Sequence, residues 1–264
     1  MIFHKEFNPK RFKKFNMSES RRKFKNKKNK NLRFLAEKRF LWMKKFIKGK
    51  KNIIEFGSGN GASKDILKNS NIILTDIQKE KWISKKIDMN NLKLEKKYIK
   101  KVDVFIFNHA LHHCANPSKL LKKMSIYLKK DGLILLNEPE LSFFLRFFLY
   151  ILDDEGWSFN VDIFNSKKNI FNPTGRCIAN NATASLLFKQ EVAFHSYFSQ
   201  YKIIKNELSE FFVFLNSGGS EQKTFYISGN KILFKILSYI DYLLVLLMPN
   251  IFALNRSVVL KKID

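Results

Sequence analysis

The segment Asn52-Ile53-Ile54-Glu55-Phe56-Gly57-Ser58-Gly59-Asn60-Gly61 limits the folds open to this chain more than any other stretch. A short apolar run ends in an acid, three glycines alternate, and a polar, helix-compatible segment follows over 62–68. That order reads as strand, tight loop and helix N-terminus. Glycine at alternate positions lets the backbone turn sharply and approach a ligand within contact distance, while the helix beyond offers unpaired N–H groups and the positive end of its dipole. A nucleotide-like ligand with an anionic tail suits such a loop. Taken alone, residues 57–62 also fit the G-x-G-x-x-G/A fingerprint of dinucleotide-binding folds, which keeps a nicotinamide-dependent oxidoreductase open.

Acids placed further on separate the two. Glu55 stands two residues before the first glycine, Asp76 ends the strand-like run Ile72-Ile73-Leu74-Thr75-Asp76, and Asp88 lies in a third, Lys86-Ile87-Asp88-Met89. Together these residues resemble a class I S-adenosylmethionine-dependent methyltransferase. The resemblance implies S-adenosyl-L-methionine as cofactor. Glu55, Gly57, Ser58, Gly59 and Gly61 would cradle its methionine and sugar, Asp76 with Ile77 would hold the ribose hydroxyls, and Asp88 with Met89 would meet the adenine amine. Residues 102–113 look like the family's fourth strand and the loop beside the sulfonium, with Asn108 at that point, and residues 130–139 resemble its fifth strand. The implied fold is Rossmann-like: a doubly wound, mostly parallel seven-stranded sheet with an antiparallel edge strand.

The chain carries 49 Lys and Arg against 23 Asp and Glu, a net charge of +26. Such a surface attracts phosphates whatever their sequence, so a nucleic-acid partner or an RNA methyltransferase is one reading. Heavy use of Lys, Asn, Ile and Phe is the other, because an A- and T-biased coding sequence raises lysine with no ligand in view. The D/N-P-P-Y/F clamp of nucleic-acid amino-methyltransferases is absent, since that place reads Asn108-His109-Ala110-Leu111. Nucleic acid is therefore disfavoured. Cys114 and Cys177 show no metal-ligand spacing and are expected to be reduced thiols in a cytoplasmic protein.

Charge is concentrated at the start, where residues 1–50 hold 19 Lys and Arg against Glu6, Glu19 and Glu37. With almost no apolar residue over 17–31, residues 1–31 are expected to form a basic, flexible arm, dispensable for cofactor binding. Residues 32–264 then form the catalytic domain. Apolar positions over 32–47 fall at helical spacing, and strand and helix patterns alternate from 51 to 138 as a parallel sheet requires. The run 141–152 is apolar nearly all round but too short to span a bilayer. Residues 182–199 read as helix, 201–208 and 211–215 as strands, and 257–260 as their antiparallel partner. A helical insertion over about 216–256 contains an apolar helix, 232–248, interrupted by Lys235, Ser238 and Asp241, which suits a buried or interfacial position. With the apolar helices, the basic arm is expected to bring the protein to the inner face of an anionic membrane.

The pattern Ser217-Gly218-Gly219, the long apolar helix and the final Ser257-Val258-Val259-Leu260-Lys261-Lys262 look similar to a bacterial subset of these methyltransferases associated with surface-polysaccharide biosynthesis. This implies O-methylation of a sugar or other small, soluble or lipid-linked glycan acceptor. A hydroxyl acceptor gains from a general base, and His109 and Glu138, each just past a central strand, are the candidates. His112 and His113 would instead pack and orient the following turn. No metal is expected, because no further ligand group at fitting spacing accompanies the three histidines. The rival class is a nucleic-acid or membrane-surface binding module that keeps the fold without turnover.

Overall fold

The computed structural model describes residues 16–26, 30–152, 155–172, 179–219 and 225–263. Two helices, α1 (Met17–Lys25) and α2 (Lys30–Leu41), and a single turn, α3 (Lys44–Ile47), lead into the sheet. There follow β1 (Ile53–Phe56), α4 (Ala62–Leu67), β2 (Ile72–Asp76), the two-residue β3 (Lys85–Lys86), β4 (Val102–Asn108), α5 (Pro117–Tyr127) and β5 (Leu128–Pro139). The second half contributes α6 (Phe143–Leu152), α7 (Thr183–Phe188), α8 (Glu191–Tyr197), β6 (Tyr201–Ser209), α9 (Phe212–Leu215), α10 (Lys231–Leu247), α11 (Pro249–Phe252) and β7 (Asn255–Lys262).

The seven strands lie in the order β3-β2-β1-β4-β5-β7-β6. β1 to β5 are mutually parallel, and β7 runs antiparallel between β5 and the outermost β6. The central strands are apolar on both faces, as strands covered on both sides must be. Ile54, Phe56, Phe105, Phe107 and Leu136 face one core with α5 and α7; Ile53, Val104, Ile106 and Leu135 face the other with α1 to α4. Parallel order reverses between β1 and β4, so the carboxyl ends of β1, β2 and β4 open onto one crevice, where ligands of such sheets bind.

The N-terminal segment differs from the flexible arm read in the sequence. α1 buries Met17, Ser20 and Phe24 and joins the core under β1 and β2. Its only two apolar residues, Met17 and Phe24, lie seven positions apart and so on one face with Ser20, and Asn16 caps the first turn by accepting from the Glu19 amide at 2.9 Å. Asn31, the supposed end of the arm, is buried and ties α2 to the insertion: its amide nitrogen donates to the Asn216 and Ile227 carbonyls, and its oxygen accepts from the Gly229 amide. Residues 1–15 and 27–29 lie outside the described residues.

A second difference lies at 211–215, which form α9 and not a strand. The reason is a distant cap. Asp241, buried on α10, accepts from the amides of Phe211, Phe212 and Val213 at 3.0, 2.7 and 3.2 Å, satisfying the first-turn donors that a helix leaves unpaired. The run 182–199 breaks into α7 and α8 at Lys189 and Gln190. α10 covers the expected apolar stretch, buries Phe234, Asp241 and Val245, and leaves Ile232, Ile236, Tyr239, Leu243 and Leu246 exposed along one stripe. No helix among the described residues is long and apolar enough to cross a membrane.

Candidate functional site

The glycine loop leaves β1 with Gly57, Gly59 and Gly61 at φ of +59°, +48° and +69°, the left-handed region that L side chains rarely adopt. A methyl on Gly57 would sit 2.7 Å from the Ala110 Cβ, so the loops after β1 and β4 meet where no side chain fits. Ser58 ties this turn to β2: its amide donates to the Thr75 carbonyl, and its hydroxyl accepts from the Thr75 amide, both at 3.0 Å. Asp76 ends β2 and accepts from the amides of Gly59 and Gln78, each at 3.0 Å and each on a different carboxylate oxygen. Every oxygen keeps a lone pair for a hydroxyl donor.

Glu55 lies differently from the role that the resemblance implies. It is buried beneath the loop, where the Ser63 hydroxyl at the start of α4 donates to its carboxylate. Burial pushes its pKa up to about 8, against the hydrogen bonds of Ser63 and Ser58, with the Asp76 charge adding to the rise. Glu55 therefore supports the loop from below. Met89 likewise turns its side chain into the core. Asp88 is exposed and caps the turn Met89–Asn91, its Oδ1 accepting from the Asn90 amide at 2.8 Å. Ile77 is 54% exposed beside Asp76, an apolar surface suited to one face of a purine.

The outer flank of the loop is closed by residues that the sequence reading did not select. Trp82 Nε1 donates to the Gly59 carbonyl at 2.8 Å, and the Arg21 guanidinium lies 4.7 Å from the centre of that indole. Arg21 also donates to the Asn60 carbonyl, and Asn60 donates to the Ser20 hydroxyl. Lys25 pairs with Asp65 on α4 at 2.8 Å. Thus α1 is a wall of the glycine loop. Its only sequence signal is the alternation of Met17, Ser20 and Phe24 within a basic run.

At the carboxyl end of β4 an asparagine chain crosses three strands. Asn137 Nδ2 donates to Asn108 Oδ1 and Asn255 Nδ2 donates to Asn137 Oδ1, each at 2.9 Å. The Asn255 amide nitrogen is thereby spent, and its oxygen faces His109 Nε2 at 3.3 Å. The geometry selects the tautomer in which His109 Nε2–H donates and Nδ1 carries the lone pair. Burial, with the Arg39 charge and His112 adding, holds the His109 pKa well below the ordinary value, so the ring is neutral at pH 7. His109 sits at φ +52°, a strained conformation for a residue with a side chain, held by its amide donating to the Asn137 carbonyl at 2.7 Å.

Glu138, the other candidate base, is committed elsewhere. Its Oε1 accepts from the Ala110 and Leu111 amides at 2.9 and 2.8 Å, and its Oε2 accepts from the His112 amide and faces His112 Nδ1 at 2.7 Å. With four donors on a fully buried carboxylate, Glu138 organises the loop after β4 and has no capacity left for a substrate proton. Cys114 is buried and its thiol is pushed up to about 12 by burial, so it is no nucleophile. Cys177 lies outside the described residues.

Glu155, which follows α6, is a residue that the sequence reading did not select. It reaches His112 Nε2 at 3.3 Å and His113 Nε2 at 3.5 Å. Partial desolvation of the Glu155 carboxylate, whose side chain is 30% exposed, is outweighed by the His113 charge and by the hydrogen bond and charge of His112, which lower its pKa. Burial opposes a charged His112, but the hydrogen bonds and charges of Glu138 and Glu155 prevail and raise it to about 10.

A sheet of this order, with a glycine loop after its first strand, Asp76 ending the second and Asp88 shortly after the third, is an α/β frame that binds ligands at the carboxyl ends of its strands. A methyltransferase-domain family matches residues 21–180, more than half of the chain. The chain belongs to that family. A structure of an S-adenosylmethionine-dependent methyltransferase from Archaeoglobus fulgidus is similar in fold, with 17% identity and a TM-score of 0.50 over 87% of this chain and 94% of the other. The YcgJ protein from Bacillus subtilis aligns at 13% identity and a TM-score of 0.47 over 86% of this chain and 99% of its own. No curated protein matches in sequence. The enzyme is a methyltransferase and S-adenosylmethionine is its cofactor. The left-handed glycines, the lone pairs of Asp76, the exposed Ile77 and Asp88 fit that molecule's zwitterionic tail, ribose and adenine.

Proposed function

We propose that this enzyme O-methylates a sugar or another surface-glycan precursor, with His109 as general base. Bound S-adenosylmethionine supplies an electrophilic methyl on a sulfonium, so the chain's own task is to align an acceptor oxygen in line with it. His109 stands at the end of β4 beside Asn108, neutral, with Nδ1 as the acceptor nitrogen and Nε2 held by Asn255. That arrangement supports taking a proton from a hydroxyl as the new bond forms, and it is the observation that carries the reading. The proton would rest on Nδ1, and the Asn255 oxygen would accept from Nε2–H throughout.

The acceptor reading draws on the position of the insertion. α10 and α11 pack beside α6 at the end of the sheet where β5 and β7 meet, and their exposed apolar stripe supports delivery of an acceptor on a lipid carrier. The cytoplasmic face of a membrane is the compartment this suggests.

The test is turnover on a panel of sugar nucleotides and lipid-linked sugars, with His109→Gln beside the native enzyme. Loss of general-base assistance lowers kcat by roughly 10²- to 10⁴-fold, with cofactor affinity unchanged. Native-level turnover by the variant would remove His109 as base, and a panel with no methylated hydroxyl would overturn the acceptor class.

A further inference from the structure

We propose that His112, His113 and Glu155 form a binding site for a divalent first-row transition ion of the zinc type, beside the acceptor side of the crevice. Their ligand atoms all lie within 4.8 Å of one another. The Glu155 carboxylate is 3.3 Å from His112 Nε2 and 3.5 Å from His113 Nε2. Ligands placed tetrahedrally around zinc at bond lengths near 2.0–2.2 Å are separated by about 3.3 Å. Glu155 meets the two rings through different carboxylate oxygens, and one ligand atom from each residue gives a set within 4.8 Å, so an ion would draw the three side chains somewhat closer together.

The surroundings are those of a ligand set and not of a chance cluster. Glu138 faces His112 Nδ1 at 2.7 Å and is itself pinned by the Ala110 and Leu111 amides. A carboxylate on the far nitrogen of a ligating histidine fixes the ring and directs the Nε2 lone pair to the metal. His113 follows directly on the same turn, Leu111–His113, whose backbone is anchored by the Asn180 amide donating to the His112 carbonyl at 2.8 Å. Asn181 donates to Glu155 Oε2 at 3.3 Å, steadying the third ligand. His112 is buried, whereas the His113 and Glu155 side chains are each 30% exposed, which leaves an entry path.

The donor set selects the ion. Two imidazoles and one carboxylate suit zinc, cobalt or ferrous iron, whereas magnesium and calcium prefer oxygen alone. Three protein ligands leave a coordination position for water or an acceptor oxygen. The His112 ring centre is 6.2 Å from that of His109, so an oxygen bound there would lie near the proposed base. Use of the ion in acceptor binding rests on the function proposed above, but metal binding itself does not.

The competing state is a metal-free ion cluster in which a protonated His112 bridges two carboxylates. Full-length protein stripped with chelator and titrated with Co²⁺ separates the two, read by visible d–d absorption, with Zn²⁺ displacing it and calorimetry giving the stoichiometry. One equivalent is expected. His113→Ala and Glu155→Gln should each weaken binding more than tenfold, Glu138→Gln should weaken it by about 10- to 100-fold, and His195→Ala should change nothing. Circular dichroism confirms that each variant is folded, and the Glu155→Gln change at a partly exposed site keeps the test open if His113→Ala is not. Absence of d–d absorption and zinc heat in the native protein would overturn the proposal. So would equal binding by native protein and Glu155→Gln.

Discussion

Asp76 braces the glycine loop through the Gly59 amide, and we propose that its remaining lone pairs hold the ribose hydroxyls. Hydrogen bonds to a charged group contribute about 1.5–3 kcal/mol each, so Asp76→Ala should weaken S-adenosylmethionine binding by well over tenfold in calorimetry. Unchanged affinity would remove Asp76 from the site. Glu55 makes a prediction of the opposite kind, on stability. Its folded-state pKa of about 8 stands above the ordinary value of 4.5, so the unfolded chain gives up this proton first. Stability from this group is present below pH 4.5, falls as pH rises towards 8 and is flat beyond. Glu55→Gln cannot ionise, and its melting temperature relative to the native protein should climb between pH 5 and pH 8, by the equivalent of a few kcal/mol. Parallel stability curves would show that Glu55 is ordinarily ionised.

Among the elements, α1 departs most from its reading in the sequence. Its basic residues look solvated when only their number is considered, yet Arg21 stacks on Trp82 and binds Asn60, while Phe24 enters the core. A chain beginning at Asn31 should therefore lose both stability and cofactor affinity. Arg21→Ala isolates the second effect, because it spares Met17 and Phe24. Cofactor affinity weakened several-fold at nearly unchanged melting temperature is the expected result, and native affinity in the shortened chain would restore the flexible-arm reading. α9 shows a related dependence: Phe-Val-Phe-Leu favours a strand by propensity, and the carboxylate of Asp241, about thirty positions away, makes it a helix.

For the molecule as a whole, charge and exposed apolar surface point the same way. A net charge of +26 accompanies the stripe of α10 and the exposed Tyr150, Ile151 and Leu152 of α6. Polybasic segments gain about 1 kcal/mol per Lys or Arg near an anionic surface, and an apolar helix face adds burial among headgroups. The protein should float with anionic liposomes at low salt and less so at high salt, where the charges are screened over a Debye length. Failure to float at low salt would leave the α10 stripe without a membrane partner.

What the sequence by itself determined is local. The glycine loop, the strands on either side, Asp76 at the end of β2 and the helix from Pro117 all follow from turn chemistry and short-range hydrophobic pattern, which act over a few residues. The mostly parallel sheet with an antiparallel edge was implied by the resemblance of these motifs to a known family, whereas the order of the strands belongs to the tertiary structure. Tertiary structure alone decided the rest. It turned Glu138 from candidate base into loop support, gave His109 its tautomer through Asn255, set Glu155 against His112 and His113, and folded α1 over the loop. Each of these pairs residues that are far apart in sequence, and such pairs meet only once sheet register and helix packing have fixed which side chains share a face. Propensity and spacing carry no information about that meeting.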